Sequence, residues 1–434
     1  MEMGEREMTT AAKVWLWDTC VGAVSVGNGP VARFQYADDF LDSHIQLSPL
    51  KMPLRAGVFS FPELPVMTFK GLPGLLSDSL PDKFGNAVID AWLRSRGREV
   101  SSLNAVERLC YTGTRGMGAL EYEPTLLDES AEGERVEVEA LAALADEVLN
   151  ARRGARAELG HGSTRFAPIL KVGSSAGGAR AKALIGWNEE TGEVRSGQVV
   201  LPKDFGYWLM KFDGLDGNGD KDGDDVKGYG RIEYAYHLMA KAAGIEMTEC
   251  RLWRKRHFMT RRFDRLEDGG KLHVQTLGAL AHLDFNAPRV NSYEQALSVT
   301  RRIVPDAQAL AQLFRRMVFN VVAWNCDDHV KNISYAMTRD GEWHLAPAYD
   351  VCYAYNPSGD WTSAHQMLVN GKAWGITDDD MVACAKEANL SAARARVIIG
   401  EVRDAVARWR EFADAAEVRS GHVRQIADRL SRDS

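Results

Sequence analysis

The segment Asn325-Cys326-Asp327-Asp328-His329-Val330-Lys331-Asn332 gathers two carboxylates, an imidazole, an ammonium and two amides directly behind an apolar helical stretch. Asp327 and Asn332 stand five residues apart. In the D-x-x-x-x-N arrangement a carboxylate accepts the proton of a substrate hydroxyl, and a neutral oxygen ligand helps to hold magnesium during phosphoryl transfer. Magnesium demands hard oxygen donors, so a second carboxylate is required downstream. Asp350 supplies it, 18 residues beyond Asn332 and at the end of the extended stretch Leu345-Ala346-Pro347-Ala348-Tyr349. Taken one at a time, these residues would also suit surface turns, where Asp and Asn are common.

Two further features fit a phosphate site. Gly173-Ser174-Ser175-Ala176-Gly177-Gly178-Ala179-Arg180-Ala181-Lys182 places Gly177 and Gly178 where backbone N–H groups can approach phosphate oxygens, with Ser, Arg and Lys as flanking donors. It is neither G-x-G-x-x-G nor a Walker A sequence, and alone it reads equally well as a hairpin turn. Lys211 stands by itself among the apolar residues Trp208, Leu209, Met210 and Phe212. A lysine so placed either snorkels to the surface or points at nucleotide phosphates, and Glu233 on the next helix is one of many glutamates available to pair with it.

These residues need a scaffold, and the periodicities suggest one. Val14–Trp17, Val21–Val26 and Val31–Tyr36 read as strands divided by glycines, and Pro53, Pro62, Pro65 and Pro73 exclude long helices after them. A helix is expected from Asp82 to Arg96. An acidic stretch from Asp128 to Glu139 leads into an Ala/Leu helix and marks the end of a first domain. Strands are then expected at 167–172, 183–187, 198–202, 207–212 and 257–263, with a helix from Ile232 to Ala243. Beyond Leu266 the chain reads as mainly helical. Asp306 caps a helix carrying Leu310, Leu313, Phe314, Met317, Val318, Val321 and Val322, and a later stripe holds Val397, Ile398, Val402, Val406 and Trp409. The expected division is a β-rich N-terminal part over 1–150, a nucleotide-binding small lobe over 151–265 and a mainly helical catalytic lobe over 266–434.

Composition narrows the classes. With 53 Lys+Arg against 60 Asp+Glu the net charge is −7, which argues against autonomous nucleic-acid binding. No apolar run approaches the length of a membrane span, and Met1–Thr10 has no secretory character, so no membrane contact is expected. Six scattered cysteines fit reduced thiols in a cytoplasmic protein. Asn218, Asp220, Asp222 and Gly223 imitate a calcium loop, but Tyr229 stands where the bidentate Glu belongs, so an exposed acidic loop is expected instead. His282, His344 and His365 are too dispersed to suggest zinc.

Four motifs occur in an order that resembles the HipA family, the kinase toxins of bacterial type II toxin–antitoxin modules. They are the Gly173–Lys182 stretch, Arg262-Phe263-Asp264-Arg265, Asp327–Asn332 and Ala346–Asp350. Phe34-Gln35-Tyr36, Leu75–Asp82 and Gly116–Leu120 extend the likeness to the family's N-terminal domain. The resemblance implies an α+β fold, a two-lobed kinase with a β-rich N-terminal part and a mainly helical C-terminal lobe. It implies an ATP-dependent serine/threonine protein kinase using ATP and Mg2+, with Asp327 as general base and Asn332 and Asp350 as magnesium ligands. Lys211 would contact ATP phosphates, covered by Ser174, Ser175, Gly177, Gly178, Ala179 and Lys182. Phe263 would mark the adenine hinge, and His329 and Lys331 would border the nucleotide. Inactivating autophosphorylation would fall on Ser175 or the adjacent Ser174. Implied partners are a HipB-like helix-turn-helix antitoxin, DNA only indirectly through it, and a protein substrate, with an aminoacyl-tRNA synthetase as one candidate. A small-molecule kinase on the same scaffold and a non-catalytic antitoxin-binding corepressor are the alternatives.

Overall fold

Alternation of apolar and polar side chains builds the first sheet. In β1 (Ala11–Leu16) Ala12, Val14 and Leu16 are buried while Ala11 and Lys13 face outward. With β2 (Thr19–Val26), β3 (Ala32–Tyr36), β4 (Val58–Phe59) and β5 (Leu120–Glu123) it forms an antiparallel sheet in the order β4-β3-β2-β1-β5. The proline-broken stretch carries only the single-turn helices Val66–Phe69 and Gly74–Ser77. They are followed by α1 (Lys83–Ser95) and α2 (Ala105–Thr112). Leu75, Leu76, Val106 and Leu109 close the core over the sheet. The computed structural model describes residues 9–95, 97–99, 103–126, 135–152, 169, 180–215 and 227–431.

The second sheet comprises β6 (Lys182–Trp187), β7 (Val194–Ser196), β8 (Gly206–Lys211), β9 (Cys250–Trp253) and β10 (His257–Arg261), antiparallel in the order β7-β6-β8-β10-β9. Residues 198–202 form no strand, contrary to the sequence reading. The chain leaves β7 at Gly197, which crosses so close to Ile185 that a Cβ there would lie 2.6 Å from the Ile185 carbonyl carbon. Beyond it the Leu201 N–H donates to the Tyr207 hydroxyl at 2.9 Å instead of to a ladder partner. The strand expected at 167–172 lies outside the described residues apart from Ile169. α1 and α3 (Val138–Arg152) share one core with this sheet, in which Trp92, Leu141 and Val148 meet Ile185, Trp208, Met210 and Met259. The small lobe's core therefore draws on residues that precede 150.

The large lobe is built from α4 (Tyr229–Ala242), α5 (Tyr293–Ile303), α6 (Ala307–Val322), α7 (Asp378–Cys384), α8 (Ala392–Ala407), α9 (Trp409–Ala415) and α10 (Ser420–Leu430). α6 starts at its predicted cap: Asp306 accepts from the N–H groups of Gln308 and Ala309 at 3.0 and 3.2 Å. Leu310, Leu313, Phe314, Met317 and Val318 are then buried, each such large side chain contributing about 1.5–3 kcal/mol. On α8, Ile398, Val402 and Val406 face the core, but Val397 is 48% exposed. It stands one residue, about 100° of helical turn, off that stripe. The lobe also contains an antiparallel sheet that the mainly helical reading omits, formed by β11 (His273–Thr276), β12 (Ser334–Met337) and β13 (Trp343–Leu345). All four residues of β12 are buried, so no alternation marks it. The result is a two-lobed α+β fold.

Candidate active site

Lys211 ends β8 and is hemmed in by Phe258 and Lys182 on the neighbouring strands. Its ammonium donates to Glu233 Oε1 of α4 at 2.5 Å and to Asp350 Oδ1, and lies 5.7 Å from the centre of the Phe258 ring. Glu233 is buried. Burial alone would push the Lys211 ammonium down, but the Asp350 and Glu233 carboxylates outweigh it and hold the pKa above the ordinary lysine value. Lys211 thus remains cationic inside the cleft. Asp350 has a φ of +53°, a left-handed conformation that Asp tolerates better than most residues.

The Asp327 segment follows α6 through a sharp turn. Trp324 takes a φ of +55°, and the Asn325 N–H returns to the Asn320 carbonyl at 3.0 Å. One 3-10 turn, Val330–Asn332, brings Asn332 back under Asp327, where its Nδ2 donates to the Asp327 carbonyl at 2.8 Å. Asp327 Oδ1 accepts from Gln366 Nε2 at 2.9 Å, and His329 Nε2 lies 4.0 Å from the same oxygen. The neighbouring Asp328 is buried. It accepts from Gln366 N–H at 2.8 Å and from the Tyr293 hydroxyl at 3.0 Å, and lies 3.2 Å from His365 Nδ1. Burial opposes charge on His365, but Cys326 and Asp328 beside it prevail and hold its pKa well above the ordinary histidine value. The two adjacent aspartates therefore differ: Asp327 faces the cleft, while Asp328 anchors the loop from behind.

Asp327, His329, Lys331, Asn332, Asp350, Lys211 and Phe263 all line one cleft of about 1290 Å³. Phe263 stacks on Tyr349 with ring centres 6.0 Å apart, and the Tyr349 hydroxyl donates to the Lys331 carbonyl at 2.6 Å. Lys331 Nζ lies 3.6 Å from Asp78 and over the Phe285 ring. Lys182 stands apart from this group: it is buried in an ion pair with Asp82 at 2.7 Å. Ser174, Ser175, Gly177, Gly178 and Ala179 lie outside the described residues, as do residues 216–225 of the acidic loop. Asp213, at the start of that loop, caps α4 by accepting from the N–H groups of Gly228 and Gly230 at 3.0 and 3.1 Å.

The donor chemistry fits magnesium. Asp350 and Asn332 offer a carboxylate and an amide oxygen, and Asn332 spends its NH2 on Asp327, which turns its oxygen the other way. Two protein oxygens completed by phosphate and water oxygens is the usual magnesium arrangement. Among the described residues no cluster of three or more His, Cys, Asp or Glu side chains suggests an all-protein metal cage. No described helix is long and apolar enough to cross a membrane.

Residues 174–410 match the HipA-like C-terminal domain, and residues 12–123 match the HipA N-terminal domain. The chain belongs to the HipA family. Among solved structures it is similar to a chain of the Shewanella oneidensis MR-1 toxin–antitoxin complex of HipA, HipB and operator DNA. That match has a TM-score of 0.66 and 15% identity over 97% of each chain, and at this identity it establishes the fold. A Helicobacter pylori proinflammatory kinase, CtkA, aligns at TM-score 0.33 and 10% identity over 58% of this chain and 92% of that one. No curated protein matches the sequence.

In this HipA-family chain charged side chains join the two matched segments. Asp264 accepts from Arg262 Nε at 2.9 Å, Arg265 Nη1 at 2.7 Å and the Gly118 N–H at 2.7 Å. Asp78 receives the Thr276 N–H at 2.6 Å. The stretch Ser77–Asp82 of the HipA N-terminal segment consequently forms one wall of the cleft. In the sequence this stretch is a family mark with nothing to place it at the site, and Gln366, distant from Asp327 and with no motif around it, carries no signal.

Proposed function

We propose that the chain is an ATP-dependent kinase toxin that transfers a phosphoryl group to a serine or threonine of a protein target. The observation that carries this reading is Lys211 bridging Glu233 and Asp350 in the cleft that also presents Asp327 and Asn332. Asp327 takes the proton of the attacking hydroxyl as its oxygen bonds to the γ-phosphorus and the bond to ADP breaks. Lys211 holds phosphate oxygens, and Phe263 borders the base, with His329 and Lys331 near the phosphates. Magnesium, held by Asn332 and Asp350, would neutralise charge on the transferred group. On this reading Ser175, or Ser174, accepts phosphate from the same site. The added charge of up to about −2 would repel ATP phosphates and shut the enzyme down.

The likeness to the HipA, HipB and operator DNA complex supports a HipB-like antitoxin as partner. On this reading the antitoxin is a helix-turn-helix protein, DNA is reached only through it, and the chain works in the cytoplasm. The test is incubation of the full chain with γ-labelled ATP and magnesium in a cognate lysate. Labelled phosphoserine or phosphothreonine in a protein, an aminoacyl-tRNA synthetase among the candidates, is the expected result. A labelled metabolite without labelled protein would indicate a small-molecule kinase, and no transfer at all would indicate a corepressor.

A further inference from the structure

We propose that Gln366 is a positioning residue for Asp327: its amide N–H fixes one carboxylate oxygen so that the other is presented to the substrate hydroxyl. The inference rests on the reading of Asp327 as the general base. Gln366 lies beyond the Tyr- and Gly-containing stretch 352–361, to which no motif could be assigned, and is 4% exposed. Its Nε2 donates to Asp327 Oδ1 at 2.9 Å. The reverse amide orientation would set two acceptor oxygens against each other. The residue's own backbone is held on both sides: its N–H donates to Asp328 Oδ1 at 2.8 Å, and its carbonyl accepts from the Arg289 N–H at 2.8 Å. Gln366 thus grips the side chain of one aspartate with its amide and the next aspartate with its backbone.

That arrangement has a chemical use. A free carboxylate rotates about its Cβ–Cγ bond, so its two oxygens exchange places, whereas a base must hold one lone pair on the line of the leaving proton. A neutral amide donor fixes the rotation without offering a proton of its own that could compete at the pH of the reaction. A histidine or lysine at the same place would donate too, but could itself lose or gain a proton. Asp328, fastened by Tyr293, His365 and the Gln366 N–H, keeps the support rigid.

The deciding comparison is among Gln366→Glu, Gln366→Met, Gln366→Asn and Asp327→Asn in the dephosphorylated full chain. The readouts are single-turnover autophosphorylation with γ-labelled Mg–ATP, binding of a fluorescent ATP analogue, and thermal unfolding. Asp327→Asn is expected to abolish transfer. Gln366→Met should slow transfer by about 10–100-fold with nucleotide affinity within twofold. Gln366→Glu, nearly isosteric, sets a second carboxyl against Asp327, so the two share a proton and the base is blocked: transfer should be slower still, while Gln366→Asn should recover part of the rate. A packing role predicts the opposite order, with Glu close to wild type, and that order would overturn the proposal. So would nucleotide affinity falling in step with rate, or a rate unaffected by Gln366→Met while Asp327→Asn is dead. Should Met unfold the chain, the Glu and Asn variants carry the same comparison. Transfer that survives Asp327→Asn would instead remove the base assignment itself, and the positioning role with it.

Discussion

The Gly118 N–H donates to the Asp264 carboxylate at 2.7 Å, so a backbone amide of the N-terminal segment ends on an anion of the nucleotide lobe. Arg262 and Arg265 complete the shell, and Asp264 is fully buried. Removing one partner from such a group leaves uncompensated buried charge. Asp264→Ala is therefore expected to cost about 3–5 kcal/mol in denaturant unfolding. The same group sets an acid limit. Burial would raise the Asp264 pKa, but Arg262 and Arg265 overcome it and hold it well below the carboxylate range. Its stabilisation is thus complete above about pH 4, the unfolded value, and is lost as pH falls toward the folded one. Stability measured from pH 6 to pH 3 should fall less steeply in Asp264→Asn than in wild type. Parallel slopes would mean that folding leaves the Asp264 pKa unshifted, and a steeper fall in Asp264→Asn would mean that the carboxyl is neutral in the fold.

Asp350→Asn separates charge from backbone. Asn also tolerates the left-handed conformation seen at 350, so the fold should survive with a melting temperature within a few degrees. The carboxylate is lost both to Lys211 and to a bound cation. ATP affinity should then lose its magnesium enhancement, read by titrating a fluorescent ATP analogue with and without magnesium. An undiminished enhancement would make Asp350 a turn residue and no more.

Asp82 and Lys182 form a buried pair at 2.7 Å that lends itself to a double-mutant cycle. Asp82→Leu alone should destabilise by about 3–5 kcal/mol, because the buried Lys182 ammonium loses the carboxylate paired with it. Asp82→Leu with Lys182→Met should recover most of that loss if the pair serves stability. If stability returns but phosphoryl transfer does not, the pair contributes to the reaction as well.

Protein purified after active expression should carry phosphate on Ser175 or Ser174, and this form should bind ATP weakly. Mass spectrometry after incubation with Mg–ATP checks it. A Ser174→Ala, Ser175→Ala protein should keep transferring phosphate to its target for longer. Phosphate found only on other residues would remove the switch and leave the transfer chemistry untouched.

Much of the site is legible in the sequence because it is local. Asp327 and Asn332 share one loop, Asp306 announces α6, and Lys211 is visible as the single charge in an apolar strand. The Lys211–Glu233 pair could be suspected but not chosen, since nothing in a helix distinguishes one glutamate from the next until a lysine is placed against it. Gln366 could not be found at all: it meets Asp327 only because the chain folds back across a separation of 39 positions, and an isolated glutamine has no chemical signature. The sheet of β11, β12 and β13 was hidden for another reason. Its strands are three or four residues long, and β12 is buried on both faces, so no period of two is written into it.

The wall that Ser77–Asp82 provides bears on how this chain could be cut. A fragment beginning at residue 174 would retain Lys211, Asp327, Asn332 and Asp350, yet its cleft would gape where Asp78 and Asp82 now face Lys331 and Lys182. It would also expose the sheet surface against which Trp92, Leu141 and Val148 pack. Separated halves should accordingly be insoluble or inert when made singly and regain nucleotide binding only when expressed side by side, each supplying the other's missing surface.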